Sequence, residues 1–158
     1  MTSPAPQPAL PDLPVTFRPT RTRAVLLATG VVLLAVLTLI AVLLTTDGRT
    51  GWGTGDLLTF VGTGVLIFAV LALLSRPKVV ADSAGVTVVN LTTRRRLEWA
   101  EILKVNLRPG DPWVYLDLAD GTSMAAMGIQ PGVAKAQAIT DARALRALSE
   151  EYGTGPNS

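Results

Sequence analysis

The sequence predicts an α+β membrane protein: a two-helix transmembrane hairpin followed by a small curled antiparallel β-sandwich capped by one C-terminal amphipathic helix. Three observations lead to it. Ala24 to Thr45 and Leu57 to Ser75 carry no charged residue. At about 1.5 Å per residue, each is long enough to cross a hydrocarbon core of about 30 Å as a helix. After Pro77 the continuous apolar runs give way to short alternating segments separated by turn residues, the pattern of strands. From Val133 onward the apolar spacing becomes helical.

The spans come first. Arg18, Arg21 and Arg23 precede the 24–45 helix, and Arg76 and Lys78 follow the 57–75 helix. The connecting loop, 46–56, holds one base, Arg49, beside Asp47 and Asp56. Basic residues on the outer flanks predict a multi-pass protein of the cell (plasma) membrane with both termini cytoplasmic. The first span is too long for a signal-peptide core. Thr45-Thr46-Asp47 lacks the small-residue cleavage pattern, so a retained helix is expected. Neither span carries an internal charge of the kind a proton relay or ion pathway uses. Thr59 and Thr63 have small-xxx-small spacing, which suits close helix packing, either between the two spans or in a dimer.

The loop contains two motif look-alikes. Gly53-Thr54-Gly55-Asp56 spells the G-x-G-D of intramembrane aspartic proteases, but neither span supplies a facing second acid. The same glycines lack the Gly-Lys-Ser/Thr of a phosphate loop. A flexible turn is the expected reading, with Asp56 favoured by the dipole at the N-terminus of the second helix.

Composition narrows the chemistry. The chain has no Cys and no His, which excludes disulfides, thiol nucleophiles, imidazole bases, a Ser-His-Asp triad and nearly all zinc sites. No catalytic residue, metal ligand or cofactor is expected. The net charge of +2, and near balance from Val79 to Tyr152, argue against nucleic acid as a partner. Abundant Ala, Val, Leu and Arg with three Lys points to a high-GC bacterial genome. Residues 1–19 hold six prolines and are expected to form a flexible tail, with 15–18 able to add an edge strand. A second flexible tail is expected at 153–158.

The domain at 79–152 reads as six strands. Val79-Val80-Ala81 is followed by the turn Asp82-Ser83-Ala84-Gly85. Val86–Leu91, Arg94–Trp99, Ile102–Leu107, Trp113–Leu118 and Thr122–Met127 follow, with Asp120-Gly121 as a hairpin signal. Strict alternation places Ile102, Lys104 and Asn106 on one face and Leu103, Val105 and Leu107 on the other. The helix is expected at about 133–152, with Arg146 able to pair with Glu150 one turn on and Gly153 as its stop.

Three segments carry a resemblance: Val79-Val80-Ala81-Asp82-Ser83-Ala84-Gly85-Val86, Arg95-Arg96-Leu97-Glu98-Trp99-Ala100-Glu101-Ile102 and Leu118-Ala119-Asp120-Gly121. In this order they resemble a bacterial pleckstrin-homology-like (PH-like) domain. The whole from Arg18 to Tyr152 is similar to actinobacterial membrane proteins with two spans before such a domain, sometimes described as low-molecular-weight antigens. The resemblance implies a seven-stranded curled sheet with a C-terminal helix, and no catalytic residues. It leaves one strand to be found, for which 15–18 is the candidate.

The expected role is a non-catalytic, membrane-anchored scaffold for a protein partner, a membrane complex or a second copy. The alternative is a sensor of anionic lipid headgroups. The candidate contacts with membrane lipid or partner are Arg94, Arg95 and Arg96 in one hairpin, Arg76 and Lys78 beside the second span, and Trp113. A solvated, aggregation-resistant edge strand is the favoured reading of the arginines, since Glu98 and Glu101 lie close in sequence and offset their field. Trp99 is expected in the core. Asp117 and Asp120 are too few for a calcium or magnesium site.

Overall fold

The computed structural model describes residues 10–48 and 51–153. Residues 1–9 and 154–158, parts of the two tails expected to be flexible, and the loop base Arg49 lie outside these residues. The chain divides into a helical unit, Thr20–Arg76, and a unit built from the residues before it and after it.

In the helical unit, α1 spans Thr20–Thr46 and α2 spans Thr54–Leu74. Both are long and apolar enough to cross a membrane. Their large side chains are mostly exposed, Val32, Leu39, Leu43, Leu58 and Leu66 among them. The two helices approach each other at glycines. A Cβ on Gly64 would lie 2.9 Å from Leu34 Cδ1, and one on Gly30 would lie 2.9 Å from Phe68 Cδ2. Thr59 and Thr63 do not set this contact. Both are exposed, and their hydroxyls bond back to the carbonyls of Gly55 (2.9 Å) and Thr59 (2.8 Å) one turn earlier. Glycine permits closer backbone approach than threonine, so it takes the packing positions.

Among the described residues the other unit has seven strands. They are β1 (Val15–Phe17), β2 (Lys78–Asp82), β3 (Gly85–Val89), β4 (Arg94–Glu98), β5 (Ile102–Asn106), β6 (Val114–Leu118) and β7 (Ser123–Ala126), followed by α3 (Lys135–Gly153). Two antiparallel sheets result, ordered β1-β2-β3-β4 and β5-β6-β7. β1 pairs with β2 in the register Val15↔Ala81, Thr16↔Val80, Phe17↔Val79. The helical hairpin is therefore an insertion between two neighbouring strands, rather than a stalk ahead of a finished domain. Gln137 on α3 donates to the Arg18 carbonyl (3.0 Å), fixing the end of β1.

Alternation sorts most strand residues as expected. Val79, Ala81, Val86, Val88, Leu97, Val114, Leu116 and Leu118 are buried against Leu145 and Leu148 of α3. β5 departs from it. A register shift between Ile102 and Lys104 bulges the strand, so Ile102 and Val105 both enter the core and Leu103 is 69% exposed. One extra residue reverses the pleat beyond it, which strict alternation from the sequence misses. Trp99 is buried as expected, but within a 3-10 turn, Trp99–Glu101, and not in a strand. That turn is closed by the Glu101 carboxylate accepting the Glu98 N–H (2.7 Å). The Trp99 indole N–H donates to the Asp82 carbonyl (2.9 Å), and its ring stacks on Tyr152 with centroids 5.7 Å apart.

Candidate functional site

The β3–β4 hairpin carries the arginine cluster, and the sheet register decides what each arginine meets. Val88, buried in the core, lies opposite Arg95, while Val89 lies opposite Arg94 and Thr87 opposite Arg96. Arg94 and Arg96 therefore share the outer face, and Arg95 stands on the other.

Arg96 is occupied. Its guanidinium binds both oxygens of Asp82, Nη1 to Oδ2 at 2.9 Å and Nη2 to Oδ1 at 2.8 Å, and reaches Thr87 Oγ1 at 3.2 Å. The same Asp82 Oδ1 accepts the N–H groups of Ala84 (2.9 Å) and Gly85 (3.1 Å), closing the β2–β3 turn. These bonds, led by that from Arg96, hold the Asp82 carboxyl below its usual range. Arg95 lies 3.8 Å from Asp120 in the β6–β7 turn. Asp120 is held low chiefly by the hydroxyl and N–H of Thr122 and more weakly by Arg95. Both ion pairs are solvent-exposed, so screening by water leaves each contributing little to stability.

Arg94 differs. Among the described residues no carboxylate lies within ion-pairing distance of Arg94, Lys78 or Arg76. Lys78, Val89 and Arg94 form one transverse row across β2, β3 and β4. At about 4.8 Å per strand, the two basic residues stand about 10 Å apart at the backbone. Arg76 precedes Lys78 by two residues and belongs to the helical unit. Trp113 stands just before β6, half-buried, with no acceptor among the described residues for its buried indole N–H. The fold thus brings Lys78 and Arg94 onto one row, ties Arg95 and Arg96 to carboxylates, and leaves Trp113 apart from them, just before β6.

The acids have structural work. Asp117 accepts from Ser123 Oγ (3.0 Å) and from the Asn106 side chain. Asp56 accepts the Gly53 N–H (3.0 Å), capping α2. Among the described residues no cluster of three His, Cys, Asp or Glu side chains is placed to hold a metal ion. Arg146 does not depend on Glu150 for a partner: its Nε (3.3 Å) and Nη2 (2.7 Å) both reach the Val105 carbonyl on β5.

Sequence reasoning missed Asn90. It follows β3 and joins the two sheets. Its Nδ2 donates to the Ala125 carbonyl (2.8 Å), and its Oδ1 accepts the Met127 N–H (3.1 Å). Asn90 thereby satisfies the exposed edge of β7 as a strand would. A lone Asn after a strand reads as turn chemistry, so only the sequence-distant pairing reveals this role.

Comparison with known proteins agrees with this architecture. Residues 76–148 match the family model described as Bacterial PH domain. An uncharacterized protein of Mycobacterium tuberculosis and one of Mycobacterium bovis are each 31% identical to the chain over 99 residues. That match covers 63% of this chain and 64% of each relative, so the chain spans a little less than two thirds of their length. No solved structure matches the chain at a significant level. Two antiparallel sheets closed by α3, with this sequence match, make the segment from Arg76 to Leu148 similar to a bacterial PH domain.

Proposed function

We propose that the chain is a non-catalytic interaction module held at the plasma membrane by its helical hairpin, with the PH-like unit in the cytoplasm. The observation that carries the reading is the insertion of two exposed apolar helices between the paired strands β1 and β2. Such surfaces are stable in lipid and unfavourable in water. Since β1 and β2 belong to one sheet, both flanks of the hairpin must lie on one side of the bilayer. The basic residues at both flanks support the cytoplasmic side. The domain then faces partners at the inner membrane surface. In-cell crosslinking of the full-length protein, followed by mass spectrometry of what co-purifies in mild detergent, tests this. One stoichiometric protein partner, or a second copy, is the expected result. Recovery in the soluble fraction after membrane removal would sink the anchored reading.

The Lys78–Arg94 row favours a second reading, contact with anionic headgroups. Two bases without carboxylate partners, one of them four residues after α2, suit a negative surface. Each contributes about 1 kcal/mol near such a surface. The assay is thiol labelling of Thr93→Cys in nanodiscs. Labelling slower in phosphatidylglycerol than in phosphatidylcholine, with the difference removed by salt and by Arg94→Gln with Lys78→Gln, is expected. Equal rates in both lipids would refute this reading.

A further inference from the structure

Two cavities open along one edge of the smaller sheet. β5 is the outer strand of that sheet, and α3 lies beside it, joined by the bond from Arg146 to the Val105 carbonyl. The first cavity, about 330 Å³, is walled by Leu107, Arg108, Pro131, Lys135 and Ile139. The second, about 220 Å³, is walled by Leu103, Lys104, Arg146, Ser149 and Glu150.

The geometry of β5 sets their spacing. The bulge turns Leu103 outward to 69% exposure, a cost in water that the fold does not relieve. Leu107, at the other end, reaches the first cavity. Four residues separate them, one of them at the bulge, so the span is at most about 13 Å at 3.3 Å per residue. An extended peptide presents side chains i and i+4 on one face at about that spacing. The charges around the groove are unequal. Lys104, Arg108, Lys135 and Arg146 stand against Asp111 and Glu150, and the Asp111 carboxylate already accepts the Arg108 backbone N–H (2.8 Å).

We propose that the groove between β5 and α3 docks an extended, acidic peptide segment of a protein partner. Apolar side chains four positions apart enter the two cavities, and carboxylates face Arg108 and Lys135. This rests on the interaction-module reading and names the chemistry of the partner. The edge is read through side chains more than through added strand pairing, because the Arg146 guanidinium already holds the Val105 carbonyl.

The test uses full-length protein in phosphatidylcholine nanodiscs. The probe is a fluorescein-labelled pool of degenerate nonapeptides with Leu at two positions four apart and Asp or Glu at the flanks. A matched pool carries Lys at the flanks. Anisotropy should report saturable binding of the acidic pool and none of the basic one. Arg108→Glu with Lys135→Glu, both exposed positions, should weaken binding about tenfold or more without changing the unfolding transition. Leu103→Ser should weaken it by a smaller factor. No binding of the acidic pool, unchanged binding in the double variant, or displacement by lysophosphatidylglycerol (a lipid site) would each overturn the proposal. A partner crosslinked on another face, with no peptide bound here, overturns the groove and leaves the anchored module standing. A soluble protein that binds the acidic pool does the reverse.

Discussion

Replacing Asn90 with alanine tests how the two sheets are held together. The substitution removes two hydrogen bonds at once and leaves the Ala125 carbonyl and the Met127 N–H without their partner. Each bond lost to a partly buried backbone group costs about 1–1.5 kcal/mol, within the general range for an orphaned group. The sum is about 2–3 kcal/mol. For a domain of this size, 1 kcal/mol moves the melting temperature by about 4–8 °C, so a fall of about 10–20 °C is expected. The assay is thermal unfolding of the full-length protein in detergent, read by tryptophan fluorescence. Trp99 and Trp113 both belong to the unit containing Asn90. Asn90→Asp keeps an acceptor for Met127 and loses the donor to Ala125, so it should fall between wild type and alanine. A loss below about 0.5 kcal/mol in Asn90→Ala would refute the reasoning, since surface substitutions away from any special contact change stability that little.

Gly128→Ala should destabilise by about 1–3 kcal/mol or more, because the new Cβ would lie 2.5 Å from the Lys78 carbonyl carbon and 2.7 Å from the Val79 nitrogen. Backbone cannot rotate away as a side chain does, and chemical denaturation of the variant measures the loss. Asp141 has its carboxyl pushed up from 3.8, chiefly by burial. The folded state therefore holds that proton more tightly than the unfolded state. Its contribution is favourable below the unfolded value, fades as pH rises through the folded one, and is a net cost at neutral pH. Asp141→Asn should accordingly melt higher at pH 7, with the gain vanishing on acidification below pH 3.8. A cysteine at Trp52 should react with a membrane-impermeant maleimide on intact cells, while one at Asp120 should react only after lysis. The opposite pattern would invert the proposed topology.

The broad architecture was legible because it rests on local periodicity. Two uncharged runs, alternating segments between turn residues and one helical stripe each declare themselves within a short window. The turns at Asp82 and Asp120 were legible for the same reason, since each carboxylate bonds to backbone two or three residues on. What stayed hidden is non-local. Strand β1 was legible as the candidate at 15–18, but its partner and register were not, because β2 lies beyond the whole hairpin. The bulge at Leu103 depends on register against β6. Alternation along an extended strand is enough to put Arg94 and Arg96 on one face and Arg95 on the other. Only the strand pairing reveals which acids Arg95 and Arg96 meet, and that Arg94 aligns with Lys78. Among the helices, Gly30 and Gly64 carry the contact that Thr59 and Thr63 advertised, because side-chain spacing alone does not say which stripe faces the neighbour.

The pairing of Phe17 with Val79 also imposes an order on biogenesis. β1 emerges from the ribosome first, yet β2 follows only after both helices have been made. In the proposed two-span topology the sheet would not close until the hairpin had returned the chain to the side it left. A helix inserted the wrong way would strand Phe17 across the bilayer from its place in the core. The domain would then present an open β2 edge and an unfilled apolar pocket, as an incompletely folded chain does. In that topology completion of the sheet would act as a check on membrane insertion. A fragment starting at Arg76 would lack both the check and the strand.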